Sequence, residues 1–245
     1  MNLPLAQGSG PVIPDFGGGG DRSCVRENKS FCWDWVKQNW GDTLFPALRQ
    51  HIVLTLIAVV IGFGIAFTLA LIAHRRGWVE RPVTIVTGVL YTIPSLALFQ
   101  LLVPITDLSR LTVEIALVSY TLLILFRNTL AGLRNVPVDV REAAQGMGLT
   151  NSQVLWRVEL PLALPTIIAG LRIATVTVIS LATVAAFVVN EGLGSPIFAA
   201  IQQNVFKTEL YAAGVLAIAL ALAADALLVL AQRLATPWAS RRRLA

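Results

Sequence analysis

Four apolar runs, at residues 52–73, 83–105, 166–190 and 210–231, constrain this chain more than any other feature. Each is close to the roughly 20 residues a helix needs to cross a hydrocarbon core. The second is interrupted by Pro94. A fifth, shorter run at 111–126 carries Glu114 and is ambiguous by itself, but the basic residues require it to span. With the N-terminus outside, Arg75, Arg76, Arg81, Arg127, Arg134, Arg141, Arg157, Arg172, Arg233, Arg241, Arg242 and Arg243 all fall inside, as the positive-inside rule asks. Arg110 and Lys207 stay outside. Arg22, Arg26, Lys29, Lys37 and Arg49 also stay outside, offset by Asp15, Asp21, Glu27, Asp34 and Asp42. Without a span at 111–126, Arg134 to Arg157 would lie across the membrane from Arg75 and Arg76. The reading is an all-α membrane protein with five transmembrane helices, N-out and C-in.

The charge pattern also excludes some functions. A net charge of +5 could suggest nucleic acid, but the basic residues sit between and after the apolar runs, where they serve topology. No G-x-x-x-x-G-K-[ST] phosphate loop occurs, so no ATP is expected to bind in the P-loop manner. His51 and His74, the only histidines, both lie near the ends of the first run, which leaves no plausible catalytic or zinc set. The chain is not expected to be an enzyme, nor to hold a cofactor or metal of its own.

Ahead of the first span lies a segment of different character. Residues 1–20 are rich in Gly and Pro, without the basic and apolar regions of a signal peptide, and read as a mobile tail. Cys24 and Cys32 could close a short disulfide loop in an oxidising compartment or remain free thiols. Residues 31–40, FCWDWVKQNW, place Trp33, Trp35 and Trp40 as a short interfacial helix on the outer face would. The expected organisation is an extracytoplasmic segment at 1–49, a membrane domain at 50–236 and a basic cytoplasmic tail at 237–245.

Between the third and fourth spans, residues 128–165 form a cytoplasmic stretch too long for a structureless loop. Its punctuation is helical. Pro137 and Asp139 can start a helix and Glu142 favours its positive end. Residues 141–147 are good helix formers and Gly148 can stop them. Thr150, Asn151 or Ser152 can cap a second helix toward Glu159, with Pro161 and Pro165 marking entry to the next span.

The spelling of this stretch carries a resemblance. Glu142-Ala143-Ala144, three residues, Gly148, nine residues, then Val158, Glu159, Leu160 and Pro161 resemble the E-A-A-x3-G-x9-I-x-L-P motif of ABC-importer permeases, departing only at Val158. The resemblance implies the type I ABC importer permease fold. It implies that Glu142, Ala143, Ala144, Gly148, Val158, Leu160 and Pro161 form a cytoplasmic coupling helix seated in a groove of an ATPase. It extends over about residues 45–235. Residues 91–98, YTIPSLAL, are similar to the glycine betaine, carnitine and choline permeases, as are 182–187, ATVAAF, followed by Glu191-Gly192-Leu193-Gly194.

These resemblances imply two ATPase subunits that hold ATP and magnesium, a second permease subunit (the same chain or a similar one) and an extracytoplasmic substrate-binding protein. Lipid surrounds the assembly, and nucleic acid is not among the partners. The solute implied is an osmoprotectant such as glycine betaine, choline or carnitine. Methionine, another amino acid or ergothioneine through the same machine is the near alternative, and an ATPase-independent secondary transporter the distant one.

Polar residues inside spans are costly and suggest function. Pro94 frees a backbone carbonyl and, with Thr92 and Ser95, is a candidate lining of the translocation path. Asp225 is a second candidate, or else hydrogen-bonds a neighbouring helix. Glu114 and Arg127 are expected to snorkel at opposite ends of the third span. Asn190 and Glu191 are candidates for meeting a receptor or solute outside.

Overall fold

The computed structural model describes residues 22–203 and 205–237. The expected mobile tail and Arg241 to Arg243 lie outside the described residues. Among those described every regular element is helical. In chain order they are α1 (Arg22–Arg26), α2 (Trp33–Asn39), α3 (Phe45–Arg75), α4 (Glu80–Thr92), α5 (Ser95–Thr106), α6 (Arg110–Arg134), α7 (Val138–Gly146), α8 (Asn151–Val154), α9 (Leu160–Ala185), α10 (Gly194–Gln202) and α11 (Lys207–Ala235). Wide π turns join α2 to α3 (Trp40–Leu44) and α8 to α9 (Leu155–Glu159).

Four continuous segments are long and apolar enough to cross a membrane: Trp33–Arg75, Arg110–Arg134, Asn151–Ala185 and Lys207–Ala235. The α4–α5 pair passes the same test together but is bent by 100°. Pro94 causes the break. Its ring excludes helical backbone from the preceding residue, and Ile93 is extended at ψ 129°. Pro94 then stands as the N-cap of α5. At the break the Ile93 carbonyl points away from the helix ladder, and the Tyr120 hydroxyl on α6 donates to it.

Helices α3, α6 and α9 form the centre, with α4 and α5 against α6, and α11 against α9. Lipid offers apolar side chains no hydrophobic gain from association, so close van der Waals approach matters most. On α3, Ala58, Gly62, Ala66 and Ala70 recur every four residues and are buried. A Cβ at Gly62 would overlap the Thr121 hydroxyl of α6, and one at Gly170 of α9 would overlap Asn128. Leu54, Phe99, Leu117, Tyr120 and Val178 fill one half of the core; Leu125, Phe126 and Leu130 fill the other.

Contacts sort the helix ends into two groups. At one end Glu80 opens α4 beside the end of α6, where Arg134 donates to both of its oxygens at 2.8 and 2.6 Å. His74 closes α3 beside Glu159, and Gln232 of α11 reaches the Pro165 carbonyl at 3.3 Å. At the other end Thr106 of α5 meets Thr112 of α6 at 2.6 Å, and Gln50 and His51 of α3 meet the turn after α9. The bent α4–α5 pair therefore starts at one end of the bundle and finishes at the other.

Several expectations change. The span predicted at 111–126 extends to Arg134, so Arg127 lies two turns inside α6. Glu114 does not snorkel: it shares a helix face with Val113 and Leu117, is 9% exposed, and its closest cation is Arg110, 3.7 Å away. Arg172 is not a charge of the loop end but lies well within α9, paired with Asp225. Pro165 does not interrupt its helix. The π turn at Leu155–Glu159 absorbs the bond that Pro161 cannot make, and the helix runs on to Ala185. The short helix expected at 31–40 is α2, but it continues through a π turn into α3, and Trp35 is buried edge-on against Phe206 instead of meeting lipid.

Candidate functional site

The E-A-A stretch is read most directly from its backbone. Helix α7 ends in a left-handed Gly148 at φ +83°. The Gly148 N–H donates to the Gln145 carbonyl at 2.8 Å and the Leu149 N–H to the Ala144 carbonyl at 3.2 Å. These are the two bonds of a Schellman stop, which needs a residue without Cβ strain at this position. The spacing A-A-x3-G is thus a helix end and its terminator.

Thr150 then starts the next helix, one of the three caps expected. Its hydroxyl accepts from the Gln153 N–H at 3.4 Å, while the Gln153 side chain accepts from the Thr150 N–H at 2.8 Å. The two helices form a bent element across the end of the bundle. Ala144 faces inward and is buried; Glu142, Ala143 and Gly148 face outward. Glu142 makes no hydrogen bond or ion pair among the described residues. Val138 on α7, Met147 at its end and Trp156 on the following π turn are also exposed, Met147 at 74%. Val158, Leu160 and Pro161 are half-buried, and Leu160 packs against Leu133, Leu155, Ala163 and Ile167. The motif thus divides into an outward half on α7 and an anchoring half at the start of α9.

The residue inside the anchoring half, Glu159, escaped the sequence reading. It is buried at 6% exposure. Its Oε2 accepts from His74 Nε2 at 3.0 Å, and its Oε1 lies 3.6 Å from Arg141 Nε. A carboxylate buried where a membrane helix begins needs partners, and the two it meets among the described residues are 85 and 18 positions away in the chain.

Thr92, Pro94 and Ser95 come together at the α4–α5 break. Thr92 and Pro94 are exposed and Ser95 is half-buried, although the Thr92 hydroxyl is occupied by the Val89 carbonyl at 2.8 Å. Asp225 is not with them. Arg172 donates to it through Nε at 2.7 Å and Nη2 at 2.9 Å. This pair and the Gln232–Pro165 contact are rungs on the same antiparallel α9–α11 seam, seven residues apart on both helices. Both α5 and α11 border α9.

Asn190 and Glu191 lie at the opposite end from α7. Asn190 accepts from the Ser195 hydroxyl and Glu191 is 3.9 Å from Arg110. The following turn is fixed from beneath by His51, which is wholly buried. The Leu193 N–H donates to His51 Nδ1 at 3.2 Å, so Nε2 carries the proton and donates to the Ile179 carbonyl at 3.0 Å. Gly192 is left-handed here at φ +72°. On the same end Cys24 and Cys32 are joined in a disulfide. The Asn28 side chain inside that loop donates to the Val205 carbonyl at 3.0 Å and accepts from the Lys207 N–H at 3.1 Å, capping the entry to α11. Among the described residues no group of three His, Cys, Asp or Glu side chains could hold a metal.

An exposed, Gly-terminated helix bridging the ends of membrane helices is the arrangement expected of a coupling element. The family of binding-protein-dependent transport system inner membrane components matches residues 58–240. The chain is a member of that family. This permease, a multi-pass protein of the cell membrane, is 32% identical over 209 residues to the choline transport system permease protein OpuBB of Bacillus subtilis (strain 168), a match covering 85% of this chain and 95% of the relative. It is 36% identical over 177 residues to the carnitine transport permease protein OpuCB of Listeria monocytogenes, covering 72% and 80%. Its fold is similar to that of an inward-facing MetNI methionine ABC transporter, with a TM-score of 0.71 at 19% identity over 82% of this chain and 98% of that one.

Proposed function

We propose that this permease forms the membrane path of an ATP-driven importer for a small osmoprotectant such as choline, carnitine or glycine betaine. The observation that carries the reading is the outward half of the E-A-A element, Glu142, Ala143 and Gly148, presented at one end of the bundle on an element whose Val138, Met147 and Trp156 are also exposed. An ATPase groove would bury this patch, with Glu142 supplying its charge. The relatives' names support the cargo.

The Cys24–Cys32 disulfide supports N-out, C-in, because such bonds persist in oxidising compartments. On that orientation α7 faces the cytoplasm, the α4–α5 pair is the fifth span, and Asn190 and Glu191 face the binding protein. Two ATPases, a second permease chain and a substrate-binding protein complete the machine, and ATP-driven movement of α7 switches the bundle between two accessible states. Thr92, Pro94 and Ser95 at the break, and the seam at Asp225, are the proposed lining. Arg172 and Asp225 remain a third exposed, at 33% and 36% of their side chains. Charges at that depth avoid acyl chains, which favours water or a second subunit against this face.

The experiment is solute uptake into proteoliposomes containing the permease with its ATPase and binding protein. Uptake of labelled choline, carnitine or glycine betaine should require ATP and all three components. Uptake by the permease alone would favour a secondary transporter, and ATP-driven uptake restricted to methionine or ergothioneine would change the cargo only.

A further inference from the structure

Among the described residues, α7 makes only one ion pair, between Arg141 and Glu159. Glu159 stands at the last position of the π turn that leads into α9, immediately before Leu160 and Pro161. Its two oxygens face different elements. Oε2 accepts a well-formed hydrogen bond from His74 in the last turn of α3, at 3.0 Å. Oε1 faces Arg141 Nε at 3.6 Å, and that N–H is buried without a hydrogen-bond partner. The far side of the same guanidinium is held, with Nη2 donating to the Val136 carbonyl between α6 and α7 at 2.8 Å. One carboxylate therefore ties α3 and α9 firmly to each other and α7 loosely to both.

We propose that Glu159 is the joint through which movement of α7 reaches the membrane helices, a positioning role that rests on α7 docking an ATPase. Arg141 precedes Glu142 directly, yet the two part in direction: Glu142 is exposed to solvent and Arg141 reaches toward Glu159. A shift of about 0.7 Å would bring Arg141 Nε and Glu159 Oε1 to the length of a charge-assisted hydrogen bond. Pushing α7 inward closes this bond and loads the π turn, where the helix ladder is already widened beside Pro161. Because His74 shares the carboxylate, α3 moves with α9. The loose contact is the open state of the joint and the closed bond its loaded state.

The test is ATP consumed per solute imported in proteoliposomes holding the complete transporter. In Glu159→Gln, hydrolysis should persist while uptake falls, raising ATP per solute about tenfold. Arg141→Gln, on a helix outside the membrane, should shift the ratio the same way, and Arg141→Lys should bring it back toward that of the unsubstituted protein. Should Glu159→Gln fail to assemble, the two Arg141 variants decide the matter. A normal ratio in Arg141→Gln, whatever its absolute rates, overturns the joint while leaving ATPase docking intact. If the unsubstituted complex hydrolyses no ATP in response to loaded binding protein, the docking reading falls and the joint with it.

Discussion

The two ends of the bundle are held by different chemistry. At the α7 end the contacts are mostly between ionisable side chains, Glu80 with Arg134 and Glu159 with His74 and Arg141, with Gln232 on the Pro165 carbonyl beside them. At the other end the contacts are mostly a covalent bond and bonds to backbone groups, the Cys24–Cys32 disulfide, Asn28 on Val205 and Lys207 and His51 between Ile179 and Leu193, with Arg110 a longer 3.9 Å from Glu191. Contacts between long charged side chains tolerate changes of length and partner. Buried bonds to backbone groups, such as those of His51, do not, because each leaves a carbonyl or N–H stranded when broken. The difference suits a bundle pushed from one end and braced at the other.

The sharpest way to break this comparison is Glu142→Lys. It reverses an outward charge of α7 without touching a described contact, and it should weaken ATPase association by about 2–5 kcal/mol if that charge is buried and paired in the complex. Co-purification of the ATPase measures this, with the melting temperature of the permease alone unchanged. Full recovery of the ATPase would remove Glu142 from the docking surface.

The left-handed glycines at the two ends provide a matched pair. A Cβ at Gly192 would lie 3.0 Å from the ring of buried His51, whereas nothing lies within 4 Å of one at Gly148. Gly192→Ala should cost about 2–4 kcal/mol, combining backbone strain with overpacking. Removing the disulfide with Cys24→Ser and Cys32→Ser should cost roughly 2–3 kcal/mol, the closure entropy of a loop this short. Gly148→Ala, with strain alone, should cost about 1–2 kcal/mol. Thermal unfolding in detergent ranks all three. A larger loss for Gly148→Ala than for Gly192→Ala would contradict the braced character of the far end.

Legibility in the sequence followed the range of the interaction. The Schellman stop at Gly148 and the capping box at Thr150 involve residues within five positions of each other, so the sequence offered Gly148 as a stop and Thr150 as one of three caps. The break at Pro94 was announced too, because proline acts on its neighbour, but the size of the bend depends on packing against α6. The disulfide was legible only as an option. Thiol spacing says nothing of whether two Cα atoms come within bridging distance, and here they lie 6.0 Å apart. Arg172 was misplaced because a charge count assigns every arginine to an aqueous side unless a partner is known. Its partner lies 53 residues downstream.

The sequence by itself determined that this chain is a helical membrane protein, where its apolar segments lie, and that an E-A-A element stands between two of them. Hydrophobicity over about 20 residues, and helix stops made within a single turn, are local properties. Tertiary structure alone decided which side of that element faces out, that Glu159 gathers His74 and Arg141, and that Asp225 answers Arg172. Burial of a charge is settled by which helices come alongside it. That depends on close approach of α3, α6 and α9 at small residues far apart in the chain, not on the composition of any one segment.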